Sequence, residues 1–234
     1  MQRVRTQRAR PIPRAPKLIG LSLCAITALT LLPSGCGYRC GKSSSQDPLC
    51  QRVDKYEDSG LDFALMLGRA LQRYGVPHGV ELHGRPPDRG ISVRVSQGTV
   101  ADVLDAIVRQ APGYKWVETN GVVNVMPKRN ANSILNLRIA HFQVHDANKF
   151  ALHQAVVSLP EVRAWLAQNQ LTEHTPYGML GPIGAMRQLP VVSLEMNNLT
   201  LREIMNRIVK EPGFSGWLLA RYGEQNQYLE IHIG

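Results

Sequence analysis

Few side chains in this sequence are typed and spaced for chemistry, and each set reads as incomplete. His141 and His145 stand four apart, which on a helix would put two imidazoles on one face for a metal. Their neighbours Leu137, Ile139, Phe142 and Val144 follow a strand pattern instead. No His-Glu-x-x-His, Cys-x-x-Cys or carboxylate pair completes a ligand set, so the seven histidines read as structural or surface residues. There is no Gly-x-Ser-x-Gly elbow, Gly-rich phosphate loop or dinucleotide fingerprint. Cys40 and Cys50 lie in a polar stretch, where nothing would hold a base against a thiol. Asp102 and Glu203 follow Thr99 and Thr200 by three residues, which makes them partners in helix starts, and Asp105 falls on the solvent side of the first of these helices. The expectation is a protein with no catalytic residue, metal or cofactor.

The elements that carry these acids are written twice. Ser92 to Tyr114 (SVRVSQGTVADVLDAIVRQAPGY) and Ser193 to Phe214 (SLEMNNLTLREIMNRIVKEPGF) each run from an alternating strand into a Thr-x-x-acid helix start. The helices then place Val103, Leu104, Ile107 and Val108, or Ile204, Met205, Ile208 and Val209, on one stripe. Both end in Pro-Gly-aromatic. A strand and helix with Val144, Leu152 and Val156 at the matching spacing is either a third, degraded copy or a chance agreement. The strand before it, Leu135 to Val144, switches face once, as a bulge would make it do. The fold class is therefore α+β, built from small repeated strand, helix and hairpin units in two or three copies.

Before the first copy, a helix capped by Asp58 or Ser59 carries Leu61, Leu65, Gly68 and Leu71 inward and stops at Gly75. A strand from Val76 to Leu82 follows, then a second from Ile91. After the first repeated helix, Asn120-Gly121 between two apolar alternating runs predicts a hairpin with a type I′ turn. The order is α-β-β-α-β-β. With "RALQRYGVPHGVEL", "ISVRVSQGTVADVLDAIV" and "GYKWVETNGVVNVMP", residues 58 to 127 resemble the short N-terminal (STN) domain of secretins and TonB-dependent receptors. The resemblance implies that fold and, more loosely, an interaction role in the envelope. Such a domain usually precedes a barrel; here about 100 residues follow that repeat the small unit, which implies a stand-alone interaction module.

Residues 1 to 35 read as an export signal. Arg3, Arg5, Arg8, Arg10, Arg14 and Lys17 precede an apolar run from Leu18 to Leu32, too short for a comfortable membrane span. The sequence Pro33-Ser34-Gly35-Cys36 resembles a bacterial lipoprotein signal, with Pro33 where that pattern has Leu; the resemblance implies lipidation of Cys36, and Gly37 implies the outer membrane. Ordinary cleavage and an uncleaved anchor are the alternatives. Residues 36 to 57 read as a flexible tether in which Cys40 and Cys50 either bridge or stay unpaired. Removing the six signal charges from the formal +9 leaves +3, which does not suggest nucleic-acid binding.

Residues 128 to 234 form a second α+β domain, with a short helix from Pro160 to Ala167, a Gly/Pro-rich loop at 168 to 190 and the C-terminal unit at 191 to 234. The chemistry left is docking: exposed strand edges that accept another strand. The edges expected are Val122 to Val125, with Val122, Val123 and Val125 as contacts, and Tyr228 to Ile233, with Tyr228 as contact. The partner expected is an envelope protein such as a secretin, receptor or transport component. The alternative is a small-ligand or envelope-polymer binder using Leu180 in the apolar loop and Trp217.

Overall fold

The computed structural model describes Cys40 and residues 47–84, 90–129, 132–174, 189–223 and 227–234. The signal, Cys36 and the loop segment containing Leu180 lie outside the described residues.

The chain is α+β, with ten strands and five α-helices among the described residues. The first half runs β1 (Arg52–Leu61), α1 (Phe63–Arg73), β2 (His78–His83), β3 (Ile91–Thr99), α2 (Val100–Arg109), β4 (Tyr114–Thr119) and β5 (Val122–Pro127). The second runs β6 (Arg138–Ala147), α3 (Lys149–Val157), α4 (Pro160–Gln168), β7 (Thr172–Glu173), β8 (Val192–Thr200), α5 (Leu201–Ile208), β9 (Gly216–Tyr222) and β10 (Tyr228–Ile233). Strand pairing follows the same plan in both. β1 pairs antiparallel with β3, and β6 with β8. β4 and β5 form a hairpin with β2 parallel on its far side, as β9 and β10 do with β7. Parallel pairing of β2 with β9 joins the halves into one six-stranded sheet, in the order β4-β5-β2-β9-β10-β7.

Several readings need correction. The expected tether is folded from Asp47 onward: Pro48–Cys50 form a 3₁₀ turn, β1 begins at Arg52, and Leu49, Val53 and Tyr56 are buried. Its polarity reflects a ribbon with one wet face rather than disorder. Helix α1 starts at Phe63, capped by Asp62 Oδ1 accepting from Leu65 N–H at 2.8 Å, because residues 58 to 61 are held in the ladder with β3. Its buried face is Phe63, Met66, Leu67, Ala70 and Leu71, while Leu65 is 56 % exposed. Gly75, at φ +63°, ends it as expected. The strand around Val144 pairs with β8, and it and the helix around Leu152 stand in the chain order where β1 and α1 stand in the first half.

Local signals account for the rest. Both Thr-x-x-acid starts are reciprocal capping boxes, Thr99 with Asp102 and Thr200 with Glu203. Asn120 and Gly121 take φ of +54° and +81°, the turn that closes a two-residue hairpin. The face switch in β6 falls between Ile139 and Phe142, opposite Asn198 at φ +55° on β8; Gln97 at φ +60° on β3 stands likewise opposite the switch between Val53 and Tyr56 in β1. Each half has its own apolar core, one around Phe63, Leu104 and Val125, the other around Phe142, Leu152 and Ile204. Yet Tyr38–Gly234 is one compact unit, so a domain boundary at residue 127 cuts across a continuous sheet. Among the described residues no helix is long and apolar enough to cross a membrane.

Candidate interaction surface

β5 lies inside the sheet. β2 occupies its second side, with His78 opposite Val123 and Val80 opposite Val125, and the Val123 N–H donates to Pro77 O at 2.9 Å. Val122, Val123 and Val125 are at most 1 % exposed, so they are core residues and not an edge. A hairpin read locally does not tell which of its strands the rest of the chain will cover. Trp217 is also core, at 2 % exposure. Tyr228 is 37 % exposed, but β10 is partly covered: Tyr228 and Leu229 pair with β7, and buried His153 donates from Nδ1 to Ile231 O at 2.9 Å while its Nε2 meets Glu173 at 3.2 Å. Cys40 and Cys50 form a disulfide, with Cα atoms 5.5 Å apart.

The end strand of the sheet in the first half is β4. Lys128 N–H bonds Gly113 O, which sets the alternation of the hairpin and turns the backbone groups of Trp116 and Glu118 away from β5. Trp116 is half-buried, Val117 is 38 % exposed and Glu118 is exposed. The Trp116 indole N–H donates to Asp105 Oδ1 at 2.7 Å, so Asp105 is a tryptophan partner rather than a solvent-facing acid. Trp217 donates in the same way to Asn206 Oδ1 at 2.9 Å. Both pairs are 11 residues apart in sequence, and each member of the second lies 101 residues after its counterpart, as Thr200 does after Thr99.

At the other end, an aromatic group gathers where β7, β9 and β10 meet. Tyr222 and Tyr228 have ring centroids 5.6 Å apart, and His174 stands edge-on to them at 6.0 and 6.2 Å. Burial raises the Tyr222 hydroxyl pKa, with the Glu230 charge and Tyr228 adding to it. The sequence reading found Tyr228 and missed His174 and Tyr222, which come from different elements.

A buried polar network closes the seam between the halves. Glu81 on β2 is fully buried; Oε2 accepts from Arg202 Nη2 on α5 at 2.7 Å, and Oε1 accepts from Ser133 Oγ at 2.6 Å and meets His83 Nε2 at 3.1 Å. Burial pushes the Glu81 carboxyl up, but the bonds from His83, Ser133 and Arg202 and the guanidinium charge outweigh it and hold it at about 2. The Arg202 guanidinium also stacks 5.8 Å over Trp217. Ser133 donates a hydrogen bond to a carboxylate paired with arginine and too weak a base to take its proton, so the network ties elements together.

Two other groupings bring polar side chains together. Ser193 Oγ lies 3.1 Å from His145 Nδ1, and His145 Nε2 lies 3.3 Å from Asp146 Oδ2, a serine, histidine and acid in contact. His145 and Asp146 are 85 % and 72 % exposed, and Ser193 Oγ also accepts from Asp146 N–H, so the trio ties a strand kink together in open water. A shallow cleft of about 420 Å³ beside Arg52, Asp54 and Gln97 borders Thr99, whose oxygen already caps α2. Among the described residues no three His, Cys, Asp or Glu side chains gather to hold a metal. His141 bonds Asn197 on β8 at 2.7 Å, so His141 and His145 project from a strand.

No protein-family model, curated protein or solved structure matches this chain.

Proposed function

We propose that the protein is a non-enzymatic docking module of the bacterial envelope, exported, lipid-anchored through Cys36 and accessory to a secretion or transport complex. The two halves are read as diverged copies of one STN-like unit, duplicated for surface rather than for catalysis. The observation that carries the reading is the end strand β4, in which Val117 and Glu118 are exposed and the Glu118 backbone groups turn away from β5. The polar groups that could suggest catalysis are engaged in capping, tryptophan bonds or the seam.

The test is a cross-linking pull-down from the native envelope, comparing wild type with Glu118→Pro. Proline at an outward-facing edge position removes a donor that β5 does not use. It also removes the Glu118 Oε1 acceptor of the Gly121 N–H in the hairpin turn, so the variant is first checked for the wild-type circular dichroism spectrum. Recovery of a secretin, receptor or transport component that disappears in the variant supports docking. Equal recovery from both proteins removes β4 from the mechanism. A second reading, binding of an envelope polymer, is favoured by the aromatic group of His174, Tyr222 and Tyr228, since flat rings offer contact area at low entropic cost.

A further inference from the structure

The β1–β3 and β6–β8 ribbons share one plan and part at one place. Arg52 stands opposite Thr99 as Arg138 stands opposite Thr200, so Asp54, Gln97 and Gly98 hold the positions of Ala140, Asn198 and Leu199. In the second ribbon this stretch is closed from within. Arg138 Nε donates to Asn198 Oδ1 at 2.5 Å, the Ala140 N–H donates to Glu161 Oε1 on α4 at 3.1 Å, and Leu199 packs against the second core. In the first half the chain passes from α1 directly to β2, with no helix in the place of α4. Among the described residues, no side chain bonds Arg52, Gln97 or the Asp54 carboxylate and N–H. Arg52, Asp54 and Gln97 are exposed around the cleft of about 420 Å³, which buried Val53 and Gly98 also line.

We propose that this cleft binds a free α-amino acid, its carboxylate held by the Arg52 guanidinium and the Asp54 N–H, and its ammonium by the Asp54 carboxylate and Gln97 Oε1. The internal comparison assigns each end. In the second ribbon the matching guanidinium and N–H are taken by the oxygens of Asn198 and Glu161; in the first they are donors without an acceptor, the pair that a carboxylate fits. The Asp54 carboxylate is the group that Ala140 lacks, and it fits a cation. A ligand with one charge alone would meet its complement and a like charge together, since two residues of extended strand span only about 7 Å. A molecule carrying both charges on neighbouring atoms meets both complements. Thr99, at the margin of the cleft, is engaged with Asp102 and takes no part. The volume is at the small end of ligand sites, which run from about 300 to 1,000 Å³. The site lies on β1 and β3, outside the six-stranded sheet, and is independent of the docking edge.

The probes are the standard L-amino acids, added one at a time at millimolar concentration to the ¹⁵N-labelled full-length chain in detergent micelles. Binding is read from the amide signals of Asp54, Gln97 and Gly98. The expected result is saturable shifts confined to this end of the β1–β3 ribbon with at least one amino acid, and binding at least tenfold weaker for its N-acetylated and its amidated forms, each of which lacks one charge. Arg52→Gln and Asp54→Ala are each expected to weaken binding at least tenfold. Both side chains are exposed, and alanine already stands at the second position in the other ribbon, so the rest of the spectrum should stay as in the wild type. Absence of shifts with every amino acid, equal binding of either blocked form, or undiminished binding by Arg52→Gln or Asp54→Ala overturns the proposal.

Discussion

The Trp217 indole N–H donates to Asn206 Oδ1 at 2.9 Å, and both side chains are buried, at 2 % and 8 % exposure. Trp116 and Asp105, each 101 residues earlier, make a bond of the same kind in a half-exposed setting. The difference in burial sets the difference in cost. Trp217→Phe leaves a buried amide oxygen unpaired and a gap against Gly79, and is expected to destabilise by about 2–4 kcal/mol. Trp116→Phe, where water can replace the bond, is expected to cost about 1 kcal/mol or less. Urea unfolding of the two variants, each paired with Asn206→Leu or Asp105→Leu, separates the bond from the packing.

At Gly79 the two halves meet with no room for a side chain. The Trp217 ring occupies the space of its missing side chain, so Gly79→Ala forces the ring or the strand to move. The expected loss is about 1–3 kcal/mol, as for overpacking of a dense core. Gly79→Ala in a Trp217→Leu background is expected to cost less than the sum of the two changes, because the smaller side chain makes room. Additive losses in thermal unfolding would place the strain elsewhere.

Elements whose signals are local could be read from sequence: the two capping boxes, the Asn120-Gly121 turn and the stripes of α2 and α5 depend on residues a few positions apart. β1 was hidden because only Val53 and Tyr56 on its central stretch are buried, three apart, and the face switch that produces this spacing comes from Gln97 on another strand. β5 was taken for an edge because its covering strand, β2, lies some 40 residues earlier. The seam was out of reach altogether: Glu81 and Arg202 are 121 residues apart, and nothing in either neighbourhood signals a buried ion pair. Of the candidate contacts, Tyr228 is exposed, at the end of β10 that Thr172 and Glu173 only partly cover.

Glu81 makes stability depend on acid. Its folded-state carboxyl sits at about 2, below its ordinary value of 4.5, so the stabilisation is complete above pH 4.5 and is lost as pH falls toward 2. A shift of that size corresponds to roughly 3 kcal/mol. Glu81→Gln is expected to flatten the acid limb of the stability profile and, at pH 7, to cost about 2–4 kcal/mol, since the partly buried Arg202 is left beside a neutral group. Chemical denaturation from pH 3 to 8 checks both. An acid limb unchanged in the variant would remove Glu81 as its source.

His78 acts earlier on the same axis. Its ring packs against Gly216, where a Cβ would collide with it, and its Nδ1 lies 2.9 Å from Val76 O. Burial lowers its pKa from the ordinary 6.5, partly offset by the Val76 carbonyl. A histidine depressed in the folded state stabilises above its unfolded pKa, and that contribution fades as pH drops below 6.5, before Glu81 begins to titrate. His78→Gln is therefore expected to remove a shallow decline that sets in below pH 6.5 and to leave the steeper one below 4.5. Loss of both together would mean that the two groups titrate as one unit.

The Cys40–Cys50 disulfide closes a loop just ahead of β1, and its position predicts where its loss is felt. Leu49, beside it, is buried against the first core, and Gln51 O accepts from Val100 N–H at 3.1 Å, tying this segment to the start of α2. A cross-link over 10 residues stabilises by roughly 2–3 kcal/mol in the chain-entropy account. Cys40→Ser with Cys50→Ser is expected to lower stability by about that amount. Hydrogen exchange should quicken first at Val100 and along β1, while the β6–β8 ribbon keeps its protection, because each ribbon packs on its own core. Uniform quickening across both ribbons would show instead that the halves open as one cooperative unit, with the β2–β9 seam transmitting the loss from the first core to the second.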